Sequence, residues 1–137
     1  MVKDLWINLP VKNIQQSKQF FAELGFEFNS NYAESADSAC LMIGSKKTIV
    51  MLFSESMFEK INQFPLTDRT QSSSVLFSFD VESRQEIDDL AIKVEAAGGI
   101  LFSKPAEHQG WMYGCAFVDL DGHRWNALYM DYSKLNN

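Results

Sequence analysis

The spacing of apolar and polar residues changes several times along this 137-residue chain. Leu5, Ile7, Leu9 and Val11 alternate with Trp6, Asn8 and Pro10, the two-residue period of a strand. Pro10 has no N–H, which puts this strand short or near an edge. From Ile14 the period lengthens: Ile14, Ser17, Phe20, Phe21 and Leu24 share one face of a helix. Asn13 stands at its start with Gln16 three residues on, a capping-box spacing, and Gly25 sits where a helix stops. Residues 26–32 alternate again and predict a strand, 33–38 a loop, and 39–43 and 48–53 two strands around the turn Gly44-Ser45-Lys46-Lys47. Met57, Phe58, Ile61 and Phe64 then fall at helical spacing over 55–64, with Pro65 as the stop.

After a polar stretch at 67–74, the same succession returns. Val75, Phe77, Phe79 and Val81 form one face of a strand. Ser83 and Glu86 form a second capping box, followed by Ile87, Leu90, Val94 and Ala97 on one helical face and a stop at Gly98-Gly99. Residues 100–103 predict a short strand and 104–110 a loop. A hairpin closes the chain, with runs at 112–118 and 125–130 around Asp121-Gly122. In its last strand Asn126, Leu128 and Met130 share one face, and Trp125, Ala127 and Tyr129 the other. Val11-Lys12-Asn13 aligns with Val81-Glu82-Ser83, Gly25 with Gly98, and Met51 with Asn126. The expected fold is α+β: two βαβββ modules, 1–54 and 75–137, joined by a helix and linker at 55–74 into one structural domain. Each half covers one sheet face with a helix. Side by side they would form an open, curved mixed sheet around a cavity, helices outside.

Composition narrows the function. Hydrophobic residues at 46% and charged residues at 22% suffice for a packed core. A net charge of −6 with no basic stripe argues against a nucleic-acid partner. No run approaches the roughly 20 apolar residues of a membrane span, and the N-terminus carries no long apolar leader. Cys40 and Cys115 read as buried free thiols of a reducing compartment. A cytoplasmic protein meeting small molecules is expected, with no membrane partner.

NLPVKN and SKQFFAELGFEF (Asn8 to Phe28), SFDVES (Ser78 to Ser83) and FVDLDGHRW (Phe117 to Trp125) together resemble the vicinal oxygen chelate superfamily. That group holds glyoxalase I, bleomycin-resistance proteins and extradiol dioxygenases, and the nearest resemblance is to predicted lactoylglutathione lyases. It implies paired βαβββ modules and a homodimer. Its metal-dependent members hold a divalent ion with four side chains, mainly His and Glu. Those positions fall here on Trp6, Met51, Leu76 and Asn126. Trp and Leu offer no lone pair, a Met thioether suits soft metals, and Asn offers one neutral carbonyl oxygen. Shifting the match by one residue in either direction restores no ligand. No metal and no cofactor are therefore expected.

Other candidates for chemistry are sparse. His123 comes just after a turn, and His108 in its loop is the alternative general base; both read more simply as solvent-facing. Asp119 and Asp121 flank the turn and satisfy its N–H groups. Cys115 has no base beside it in sequence, and no catalytic residue is assigned. The expected cavity face is Trp6, Asn8, Met51, Phe53, Leu76, Ser78, Tyr113 and Asn126, with Trp6 large enough to plug the space of an ion. This face suits a small apolar or aromatic ligand held by a few hydrogen bonds. Two alternatives stand beside that reading: a metal-dependent lyase, isomerase or dioxygenase with displaced ligands, and a dimeric interaction protein with a degenerate pocket.

Overall fold

Twice along the chain a strand feeds a capped helix, and each time the cap is the residue that sequence picks out. The computed structural model describes residues 1–32 and 34–135. Ala33, Asn136 and Asn137 lie outside the described residues, and with them one residue of the expected loop and the end of the expected second module. The chain divides into two units, Met1–Asp68 and Arg69–Asn137.

In the first unit β1 (Ile7–Val11) leads to α1 (Ile14–Glu23), followed by β2 (Glu27–Phe28), β3 (Ser38–Ile43), β4 (Thr48–Ser54) and α2 (Glu55–Asn62). Asn13 caps α1, its Oδ1 accepting from the Gln16 N–H at 2.9 Å, which gives an orphan donor of the first turn a partner. The sheet order is β1-β4-β3-β2, with β1 parallel to β4 and the other pairs antiparallel. The core is drawn from the expected periodic positions: Leu9, Val11, Ile14, Phe20, Phe21, Leu41, Val50 and Leu52 are all buried. Phe20 and Phe21 meet edge to face at 5.1 Å. Burying each ring contributes about 1.5–3 kcal/mol.

The second unit repeats the plan with β5 (Leu76–Val81), α3 (Arg84–Ala96), β6 (Ile100–His108), β7 (Met112–Val118) and β8 (Arg124–Met130), then a short 3-10 turn at Tyr132–Lys134. Its order is β5-β8-β7-β6, again with one parallel pair, β5 with β8. Ser83 caps α3 through the Glu86 N–H. The return bond of that capping box lands one residue early: Glu86 Oε2 accepts from the Glu82 N–H at 2.7 Å. Ile87, Leu90, Ala91 and Val94 are the buried face of α3. Trp125 is the largest side chain buried here, with Phe77 at 4.9 Å and Phe117 stacked on it at 6.4 Å. The architecture is α+β, with two open four-stranded mixed sheets.

Four elements differ from the sequence expectation by two residues or more. Leu5 and Trp6 precede β1 and are exposed. The strand expected over 26–32 shrinks to β2, because the Asn29 Oδ1 accepts from the Asn31 N–H at 3.1 Å and turns the chain. The helix over 55–64 ends at Asn62, two residues early, where Gln63 adopts a left-handed φ of 60° and its N–H bonds the Glu59 carbonyl. β6 runs to His108 instead of stopping at 103; the pairing with β7 slips between Leu101 and Ser103 and between Ser103 and Ala106. Pro105 sits in the second slip on an edge strand, where a missing N–H breaks no regular ladder. Among the described residues no helix is long and apolar enough to cross a membrane.

Candidate functional site

Strand register decides which expected site residues stand together. Across β1, β4 and β3, Asn8 pairs with Met51 and Met51 with Cys40, so their side chains share a face. Pro10 pairs with Phe53 on that same face, opposite Leu41, Val50 and Leu52. Asn8 is exposed, Met51 buried and Phe53 half-buried. Trp6, one residue before β1, is 54% exposed. It lines a pocket of the first unit. The pocket beside it has a volume of about 360 Å³. Trp6, Tyr32, Leu5, Ile49 and Met51 supply its aromatic and apolar lining, and Asp4, Lys46, Lys47 and Thr48 its charged and polar lining. The β3–β4 turn brings the lysines in: the Lys47 N–H bonds the Gly44 carbonyl at 3.0 Å, and Lys47 itself is left-handed, with φ of 53°.

In the second unit Ser78 pairs with Asn126, and the Asn126 Nδ2 donates to Ser78 Oγ at 3.3 Å. Leu76 pairs with Arg124 one row away and is 55% exposed. Tyr113 does not belong with them. Asn126 pairs with Ala116 and Tyr113 with Tyr129, so Tyr113 lies on the opposite face with Cys115, Phe117 and Trp125. Its hydroxyl donates to Asp88 of α3 at 2.6 Å. That hydrogen bond is the main cause holding the phenol above its ordinary pKa. The Arg84 guanidinium lies 4.7 Å over the Tyr113 ring and is ion-paired with Glu107, which holds the Glu107 carboxyl below its usual range.

The remaining candidates are structural. Asp119 is buried and holds the hairpin turn: its Oδ1 accepts from the Asp121 and His123 N–H groups at 2.9 and 3.0 Å, and its Oδ2 from the Trp125 indole N–H at 3.0 Å. Burial pushes this carboxyl up, against the pull of His123 and of those donors. The Cys115 thiol is pushed up to about 11 by burial, so almost none is thiolate at neutral pH. His108 ends β6 opposite Met112 and is exposed, in a strand and not in the expected loop.

The four residues that the resemblance aligns with the metal positions do not offer a ligand set for a divalent ion. Trp6 and Leu76 offer no lone pair, Met51 brings a buried thioether, and Asn126 brings one neutral carbonyl oxygen, its Nδ2 donating to Ser78. Among the described residues no three His, Cys, Asp or Glu side chains are grouped to hold a metal. No buried side-chain nitrogen or oxygen among them lacks a hydrogen-bond partner. Of the residues lining the Trp6 pocket, sequence reasoning named Trp6 and Met51 and did not name Asp4, Tyr32, Lys46 or Lys47. The lysine pair at a glycine turn beside the Met51 strand was the available signal. Tyr32 left none, since its place depends on where β2 stops.

The model of the Glyoxalase/Bleomycin resistance protein/Dioxygenase superfamily matches residues 5–127. No curated protein matches the chain. Among solved structures, a hypothetical protein of S. aureus, SA1046, is 35% identical over 94% of this chain and 95% of its own, with a TM-score of 0.84. A glyoxalase/bleomycin resistance protein/dioxygenase family enzyme of Burkholderia phytofirmans is 21% identical over 93% and 99%, with a TM-score of 0.80. The fosfomycin resistance protein FosX of Listeria monocytogenes, solved with Mn(II) and a sulfate ion, is 17% identical over 98% and 95%, with a TM-score of 0.69. The last two likenesses are of fold alone. With a family model spanning nearly its full length, the chain belongs to the Glyoxalase/Bleomycin resistance protein/Dioxygenase superfamily.

Proposed function

We propose that this protein binds a small, partly aromatic molecule without using a metal, in the pocket walled by Trp6. One observation carries the reading. The position where metal-dependent relatives would place their first ligand holds an indole that is 54% exposed, beside a pocket of about 360 Å³. A volume of that size lies in the range of small-molecule sites. Trp6, Tyr32, Ile49 and Met51 give it aromatic and apolar surface, and an indole face is a favourable stacking partner for a planar ring. The side chains at the family's metal positions supply no ligand set that would direct the chemistry elsewhere.

The test is a thermal-shift series with planar aromatic probes, neutral and charged, run with and without EDTA. A ligand that binds only the folded chain raises Tm. At least one probe is expected to raise it, equally with the chelator present. In Trp6→Ala the response should fall by about three- to ten-fold in affinity, the worth of one aromatic stacking pair. A flat response from every probe, or one abolished by EDTA, would overturn the reading.

A further inference from the structure

We infer that the occupant of the Trp6 pocket is a planar aromatic anion, its carboxylate or phosphate read by Lys46 and Lys47; this rests on that pocket being the binding site. The chain carries a net charge of −6, yet this pocket is lined by two adjacent lysines and one carboxylate, Asp4, for a local balance of +2 − 1 = +1. Lys18, Arg84 and Lys134 each have a carboxylate partner. Lys46 and Lys47 have neither an ion pair nor a side-chain hydrogen bond among the described residues. Two lysines without a carboxylate partner thus line the same pocket as an exposed indole and a phenol that is itself 55% exposed.

The turn that carries the lysines is tight. Lys47 is left-handed, with φ of 53°, a conformation that favours glycine or asparagine. A lysine ammonium is a compact charge on a flexible stem and imposes no fork geometry, so carboxylate and phosphate esters are both accommodated. The turn between β3 and β4 selects for charge, and the Trp6 wall selects for a flat ring.

Isothermal titration calorimetry with 2-naphthoate, 2-naphthyl phosphate and the neutral 2-naphthamide tests this on the intact chain. Two exposed charge contacts predict that the anions bind about ten-fold tighter than the amide at low salt. In K46Q/K47N, whose asparagine tolerates the left-handed turn, and in the wild type at high salt, that preference should shrink to about two-fold or less. The anion that binds tighter identifies the acid group. Lys46→Gln alone moves in the same direction and leaves the left-handed residue untouched, should the double variant fold poorly. If the amide binds wild type as well as the anions do, the assignment of charge fails and the pocket reading survives. A double variant that keeps the anion preference also sinks the assignment. If none of the three probes binds, both fail.

Discussion

One carboxylate shows how a single side chain fixes an element in this fold. Asp119 is reached by two backbone N–H groups and the Trp125 indole N–H, so it ties the β7–β8 turn to the largest buried side chain of its unit. Removing it leaves three donors in a region where water is scarce, and each buried unpaired donor costs about 1–3 kcal/mol. Asp119→Ala should therefore lower stability by about 3–5 kcal/mol, after partial relaxation. Urea denaturation followed by Trp fluorescence measures this; a loss under about 1 kcal/mol would mean that water replaces the carboxylate. The turn-binding role was legible in the sequence, since Asp two residues before an Asp-Gly turn is a familiar acceptor. The indole contact was not: it needs Trp125 on the core side of β8, a choice between two faces that alternation leaves open. The fate of Tyr113 has the same cause. Its alternation within β7 was plain, but which β8 face it joined depended on the register across the 119–123 turn.

At the scale of elements, close approach matters as much as pattern. Gly114 pairs with Leu128 in the β7–β8 ladder. A Cβ there would stand 2.5 Å from the Ala127 carbonyl oxygen and 2.7 Å from the Leu128 Cδ2. Leu128 can turn away, but the carbonyl is part of the backbone, so Gly114→Ala must push the strands apart. Overpacking of this kind costs about 1–3 kcal/mol, and the displaced ladder adds exchange at the amides beside it. Hydrogen exchange should show lost protection at Gly114, Leu128 and their neighbours with α1 unaffected; unchanged protection would place the strain elsewhere. Gly122 has a different reason. Its φ of 87° suits glycine, and Arg69 lies against it, with Nε donating to the Asp121 carbonyl at 2.6 Å. The turn glycine was legible because the Asp-Gly dipeptide has a local signature, whereas the Arg69 contact joins residues far apart in sequence. β6 illustrates the limit from the other side. Residues 104–110 are expected as a loop, yet the strand runs on to His108, and an edge position with a pairing slip lets Pro105 remain in it.

For the whole molecule, the family's chemistry and this chain's own residues point in different directions, and a measurement separates them. The duplicated βαβββ plan was readable because caps, helix stops and alternation recur in order in both halves. The family's metal, in contrast, depends on four side chains, and the resemblance aligns those positions with Trp6, Met51, Leu76 and Asn126. A metal held only by the folded chain, at a thousandfold excess over its Kd, stabilises by about 4 kcal/mol. For a chain of this length that is roughly a 10 °C rise in Tm. EDTA-stripped protein titrated with Mn(II), Ni(II) or Zn(II) should instead shift by less than about 2 °C, within the range of weak surface binding. The aromatic anion proposed for the Trp6 pocket should shift Tm in the same preparation, metal present or absent. A large metal-dependent rise would require ligands other than the four aligned positions, and Asp4 and His108, both exposed, would be the first to replace. A rise with the aromatic probe alone would leave the family's scaffold in place and its ion dispensable, as the alignment of Trp6 with a metal ligand implies.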